Sequence, residues 1–458
     1  MKDLLIKNGI ITTHDKQYVG DILISDGKIK EIGKKLIISG NNFETIDATG
    51  LLILPGGVDP HVHMSLRSGK AISSDDFETG SIAALSGGTT TFMDFVTPQK
   101  GEPLKEALLK RMEETEKSLC DYSLHMSITS MESYTEKEIN DMVQNEGIIS
   151  FKLYMAYKNS IGMNDNDILK AMAMIKNAGG ISMIHCENGD IEEFIKGQLI
   201  SSKRTDISNY PASRPAEMEI DAVNRAILFS KITKCPLYIV HLSTEEGVES
   251  VLKAKKDGVS VYAETCPHYL ILNDSVYKKG KQSAKFIMSP PLRQTFDINK
   301  LWDGISNGIL EVISSDHCPF NLKNDDYSGP NDFTIVPKGI GGVDHRMSLM
   351  YTKGVSEKKI NIHRFVNLTS TRPAKIFGLY PAKGTIMKGS DADIVLWDTN
   401  KESFISAKNQ FQNCDSSAYE GIKTIGCPLK VIAGGRLVFD NGLFNLTQAK
   451  GNYLFRKR

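Results

Sequence analysis

The chain has 458 residues, with 55 Lys and Arg against 55 Asp and Glu, so its formal net charge is zero. A neutral chain with no long basic run lacks the electrostatic footprint of a nucleic-acid binder. Charges interrupt every apolar stretch before the roughly 18 residues that would span a bilayer. Met1-Lys2-Asp3 opens no secretory signal, so a cytoplasmic protein with no membrane partner is expected. Seven cysteines at irregular spacing, without a CxxC pair, suggest free thiols in a reducing compartment.

The first fifty residues read as short strands, with hairpin signals at Asn8-Gly9 and Asp26-Gly27. The middle alternates. β-branched and apolar runs at 51–63, 89–95, 121–129, 149–155, 181–187, 236–242, 259–265 and 310–317 are predicted strands. Amphipathic helices fall between most of them. One covers 103–119, where Leu104, Leu108, Leu109 and Met112 recur at helical spacing. Another covers 166–180, where Asn166 or Asp167 suits a cap and Gly179-Gly180 closes the end. The last eighty residues return to strands, with a turn at Asn441-Gly442, so the two chain ends are expected to meet in one small sheet domain.

Eight strands alternating with helices define an α/β chain and fit a (β/α)8 barrel of the TIM type. A doubly wound sheet would want a phosphate-binding glycine loop, and Gly56-Gly57 before HVH forms no GxGxxG.

In such a barrel the chemistry lies at the C-terminal ends of the strands. Run one ends with His61-Val62-His63, run four carries Lys152, runs five and six end at His185 and His241, and run eight ends at Asp316. Each has an ordinary explanation when taken alone. A single HxH is a common accident, a buried histidine usually bonds to backbone, and an aspartate after a strand often caps a turn. Lys152 is harder to dismiss, because an unpaired ammonium in SFKLYM would be costly to bury unless its stem snorkels to water. Reaction of its amine with CO2 would convert the cation into a bidentate anionic ligand. Together these six residues fit one site: four imidazoles, a bridging carbamate and Asp316 holding two Zn²⁺ ions. A metal-bridging hydroxide would then attack a carbonyl, with Asp316 as base and then acid toward the departing nitrogen. Amide hydrolysis is the natural reaction class.

The segments DPHVH, SFKLYMAYK, HCENG, ETCPHYL, MSPPLR, SDHCPFN and GSDADIVLWD, in this order, resemble the dihydropyrimidinase/hydantoinase branch of the metal-dependent amidohydrolase superfamily. The resemblance implies a composite β-sandwich from residues 1–52 and 381–458 around a barrel at 53–380. It implies two divalent ions, usually zinc: one on His61, His63 and Asp316, the other on His185 and His241, bridged by N6-carboxylated Lys152. It further implies opening of a dihydropyrimidine or a 5-substituted hydantoin to an N-carbamoyl amino acid, in a homotetramer or homodimer.

Tyr157 matches the tyrosine that stabilises the oxyanion, and Ser289 matches a serine that contacts the imide ring. Lys338 departs from the pattern, standing in VPKG where hydantoinases commonly read IPNG. It either favours a ring with an acidic substituent or points to solvent, and the solvent reading is put slightly ahead. Residues 64–72 match the family's substrate-gate loop, and Ser65 stands where dihydroorotases place an arginine. His268, His317 and Cys318 are expected to pack behind the ligands. The competing readings are another cyclic amidase such as an allantoinase, and a non-catalytic scaffold relative, which the complete ligand set disfavours.

Overall fold

The structure is a computed structural model that describes residues 2–38, 43–323 and 331–457. Eight parallel strands lie in sequence order: Gly57–Val62, Thr89–Val96, Asp121–Ser127, Ser150–Tyr154, Ile181–His185, Leu237–Ile239, Val261–Thr265 and Val312–Ile313. A parallel bridge between Val62 and His317 brings the last strand back to the first and closes the barrel. Nearly every residue of these strands is buried. Helices cover the outer face and side chains fill the inner one, which is why the runs read as continuously apolar rather than alternating.

Strands from both chain ends hydrogen-bond into a separate nine-stranded sheet. Its path runs from Leu443–Phe444 through Arg436–Asp440, Lys423–Ala433, Ile394–Phe404, Leu52–Pro55, Asp3–Thr12 and Gln17–Ser25 to Lys28–Gly33. Phe43–Asp47 joins it by pairing with Asp3–Thr12. Ile6, Ile11, Ile22, Ile24, Ile53, Ile394 and Leu396 form its own core. The final residues then return to the barrel. Tyr453 bridges to Tyr122, and buried Arg456 donates to Ser150 Oγ at 2.8 Å and to the Leu124 carbonyl, near the strand starts and away from the site.

Three local features differ from the sequence pattern. The run at 51–63 is two strands. Leu52–Pro55 pairs antiparallel with Ile394–Phe404, whereas Gly57–Val62 pairs with Thr89–Val96. Gly56 is the crossing, where its N–H donates to the Asp393 carbonyl at 2.8 Å and a β-carbon would overlap Thr90.

Asn8-Gly9 is a bulge inside Asp3–Thr12 and not a hairpin. Asn8 (φ 62°) is held by Asp21, which accepts from its N–H at 2.9 Å. Asp26-Gly27 and Asn441-Gly442 do form two-residue turns, all four residues having positive φ.

The helix expected at 166–180 spans Asp165–Asn177 and is capped by neither Asn166 nor Asp167 but by Asn164, whose side chain accepts from the Asp167 N–H at 2.9 Å. Asp165 and Asp167 then lie in the first turn, where the helix dipole favours them. Among the described residues no helix is long and apolar enough to cross a membrane.

Because Thr90 is buried and short, it cannot swing away from a new methyl at the crossing. Gly56→Ala is expected to destabilise the chain by about 1–3 kcal/mol through overpacking. Thermal and urea unfolding would measure this, and an unchanged midpoint would contradict the tight crossing.

Candidate active site

The closed barrel turns residues far apart in sequence toward one cavity of about 300 Å³ at the C-terminal ends of its strands. His61, His63, Lys152, Tyr157, His185, His241, Ser289, Asp316 and Lys338 all line it. Every residue singled out from the sequence is therefore brought together. Three of them, Tyr157, His241 and Asp316, have left-handed backbone, with φ of 59°, 37° and 49°. A non-glycine residue held there costs about 1–3 kcal/mol, and such strain collects where a side chain must be aimed.

His61, His63 and Asp316 converge. Asp316 Oδ1 lies 3.2 Å from His61 Nε2 and 3.3 Å from His63 Nε2. The three ligand atoms fall within 4.8 Å of one another. His61 Nε2 is buried with no hydrogen-bond partner, while Nδ1 of the same ring is fixed by Glu264 Oε1 at 2.5 Å. An imidazole anchored on one nitrogen with the other left bare toward a carboxylate fits a divalent cation.

Beside this group, His185 Nδ1 and His241 Nε2 face each other at 2.9 Å. Glu187 accepts from His185 Nε2 at 2.9 Å, so His185 turns Nδ1 inward. The His61 and His241 rings are 5.5 Å apart, so the two groups adjoin.

Burial, reinforced by the Lys152 charge, lowers the pKa of His61 well below its ordinary value. Burial also lowers those of His241 and His185. The shift favours the neutral ring, which is the ligand form. Burial alone would raise the Asp316 carboxyl, but the three imidazoles of His61, His63 and His241 outweigh it and hold the group well below the usual carboxylate range.

Lys152 is 1 % exposed, and its Nζ sits 5.0 Å from the Phe95 ring centroid and 5.5 Å from that of Tyr154. At that burial the amine does not reach water, so the snorkelling explanation fails, and among the described residues no carboxylate lies within ion-pair distance of it. Burial pushes the amine down to about 8.

Tyr157 stands beside His185, with ring centroids 5.1 Å apart, and burial raises its phenol well above the ordinary value. Ser289 hydrogen-bonds to the phenols of Tyr157 and, at 3.0 Å, Tyr210. Lys338 corrects the preferred sequence reading. Its Nζ turns inward to Glu192 Oε1 at 3.2 Å and lies 6.0 Å from the Tyr157 ring centroid. Burial, with Arg214 nearby, pushes it down to about 8.

Three supporting residues escaped the sequence reading. Glu264, at the end of the seventh barrel strand, accepts from His61 Nδ1, from Tyr238 Oη at 2.7 Å and from the His241 N–H at 3.2 Å. Burial raises its pKa, and three donors aimed at two oxygens oppose that by favouring the ionised acceptor. Glu187 is clamped by buried Arg214, which also binds Glu192. Burial would raise Glu187, but Arg214 outweighs it and the carboxyl lies at about 2. The available signal was a glutamate at each of two strand ends, in HCENG and ETCPHYL. His317, as expected, packs behind the site, with Nε2 on Asp75 and Nδ1 accepting from Gly342 and Val343. Cys318 lines the cavity itself.

A parallel barrel with inward imidazoles and a carboxylate at its rim has the form of a metal-dependent hydrolase. The family model described as "Amidohydrolase family" matches residues 52–438. A D-hydantoinase of Geobacillus stearothermophilus is 39% identical over 456 residues, covering 99% of this chain and 96% of that one. A dihydropyrimidinase of Rattus norvegicus is 38% identical over 461 residues, covering 99% and 89%. The crystal structure of a dihydropyrimidinase from Brevibacillus agri NCHU1002 superposes with a TM-score of 0.96 at 38% identity, over 99% of this chain and 98% of that one. The chain belongs to the amidohydrolase family, in its hydantoinase/dihydropyrimidinase branch. Divalent-metal binding follows from that membership, and the His-His-Asp cluster fits it.

Glu264→Gln keeps the shape but sets an amide N–H₂ against three donors. It is expected to weaken metal binding about 10–100-fold with the fold intact. Competition with a chelator would measure it, and wild-type affinity would show that Glu264 does not orient the ligands.

Proposed function

We propose that this chain is a cyclic amide hydrolase that opens dihydropyrimidine or 5-substituted hydantoin rings to N-carbamoyl amino acids. The observation that carries this reading is the convergence of His61, His63, His185, His241, Lys152 and Asp316 on one cavity beside the Tyr157 phenol. His61, His63 and Asp316 would hold one divalent ion and His185 and His241 a second, with N6-carboxylated Lys152 bridging; zinc suits this nitrogen and oxygen set. Bound there, the metals would supply Lewis acidity and lower the pKa of a water from about 15.7 toward 7.

The chain's own residues carry the rest. Asp316, held ionised, accepts the proton of the attacking water and passes it to the ring nitrogen as the carbon–nitrogen bond breaks. The attacked carbonyl carbon becomes the carboxylate, and the released nitrogen becomes the terminal NH₂ of the carbamoyl group. Tyr157, kept protonated by burial, donates its phenolic hydrogen to the carbonyl oxygen as negative charge develops there. Ser289, fixed by Tyr210, positions the imide, and the backbone at Lys338-Gly339 closes that side of the ring.

The hairpin at Arg67–Ser68 and Ala71–Ile72, whose Arg67, Ser68 and Gly69 line the cavity, would serve as the gate loop in this reading. Assembly as a homotetramer or homodimer in the cytoplasm belongs to the same proposal. Phe194 and Ile232, 67% and 62% exposed, offer apolar surface for such contacts.

Metal analysis beside assays on dihydrouracil and phenylhydantoin tests the reading. Ring opening with two metals per chain is expected, and full activity in rigorously metal-free protein would sink it. Lys152→Ala is expected to lose both metal and activity, with partial return on adding a short carboxylic acid. Unchanged turnover in that variant would reject the bridging ligand.

A further inference from the structure

The cavity that holds the donor set has one acidic side chain in its lining, Asp316, whose charge is committed to the chemistry. Two cationic side chains outside the donor set, Arg67 and Lys338, line the same cavity. A second cavity of about 530 Å³ adjoins it and shares Ser68, Gly69, Tyr157 and Lys338 as a common wall. This outer space adds Lys70 and Lys196 but only one carboxylate, Glu192. Glu192 is already engaged, because it accepts from buried Arg214 and, at 3.2 Å, from Lys338. Arg214 is in turn pinned to Glu187. Among the described residues, no carboxylate lies within ion-pair distance of Arg67. The remaining wall includes Ala71, Phe333 and Val336, an apolar surface that suits methylene groups.

This arrangement has a sign. A substituent leaving the reacting ring toward the shared wall enters a space where cationic side chains outnumber the single compensated carboxylate. A neutral aromatic group there would cover apolar surface but offer nothing to Lys338, nor to Arg67 on the wall of the inner cavity. A carboxylate would accept charge-assisted hydrogen bonds from exposed Arg67 and from Lys338, whose half-buried ammonium is screened less than in open solvent.

We propose that the substrate is a cyclic ureide with a carboxylate-bearing substituent on its ring carbon, selected by Arg67 and Lys338. This rests on the ring-opening function proposed above and narrows it to acidic substrates. The bond changes are those of ring hydrolysis, so the product is an N-carbamoyl amino acid with a second carboxylate. Arg67 and Lys338 touch the substituent and set specificity; they take no part in bond cleavage.

The metal-loaded enzyme would be assayed on 5-(2-carboxyethyl)hydantoin and on its nearly isosteric amide, 5-(2-carbamoylethyl)hydantoin, with dihydrouracil alongside. The acid is expected to exceed the amide by about tenfold in kcat/KM, chiefly through KM, with the advantage shrinking as ionic strength rises. Arg67→Gln and Lys338→Asn should each cut the acid-to-amide ratio severalfold. An amide opened as well as the acid, or a ratio unmoved in both variants, would overturn the acidic-substrate inference while leaving ring opening intact. Failure to open any of the three rings would overturn the ring-opening function and this inference with it.

Discussion

Lys152 sits in the fourth barrel strand, 1 % exposed, with four imidazoles on the same cavity and no carboxylate in ion-pair reach among the described residues. An ammonium so placed carries a desolvation cost that the charges of Asp316 and Glu264, beyond ion-pair reach, offset only in part. His61 Nε2, left bare on the same cavity, suits a metal ion. The proposed carbamate would reverse the sign of the charge and give the imidazoles a shared reason to converge, and the other features of the site fit that arrangement.

Accommodation is visible one layer out. Glu264 reaches from the seventh strand to the first, fixing His61 on one nitrogen, and also holds the backbone of His241. Glu187 does the same for His185 and is itself held by Arg214, whose guanidinium lies 5.6 Å from the Tyr157 ring centroid. Ligand orientation, phenol placement and the ion-pair chain that reaches Lys338 thus form one connected set. A substituent that touches Lys338 also touches the far end of the network that aims His185.

Much of the barrel was legible because its physics is local. Strands buried on both faces must be apolar and β-branched, so the eight runs appear as such, and polar residues at their ends stand out. What escaped depended on contacts distant in sequence. Leu52–Pro55 and Gly57–Val62 read as one run because the chain changes sheets at Gly56 without losing its apolar character. Asn8-Gly9 carries the chemistry of a hairpin turn, yet Asp21, Asp47 and the neighbouring Ile53 make it a bulge. Glu264 has no meaning without its partner His61, 203 residues away. The direction of Lys338 was likewise set by Glu192 on a separate helix, which no local pattern reveals.

Native mass spectrometry of the metal-loaded chain beside its Lys152→Ala variant tests the bridging role of Lys152 most directly. The expected mass is that of the chain plus one CO2 and two metal ions, with the CO2 absent from the variant and lost together with metal on acidification. A fully active chain that holds its metals with Lys152 unmodified would contradict it.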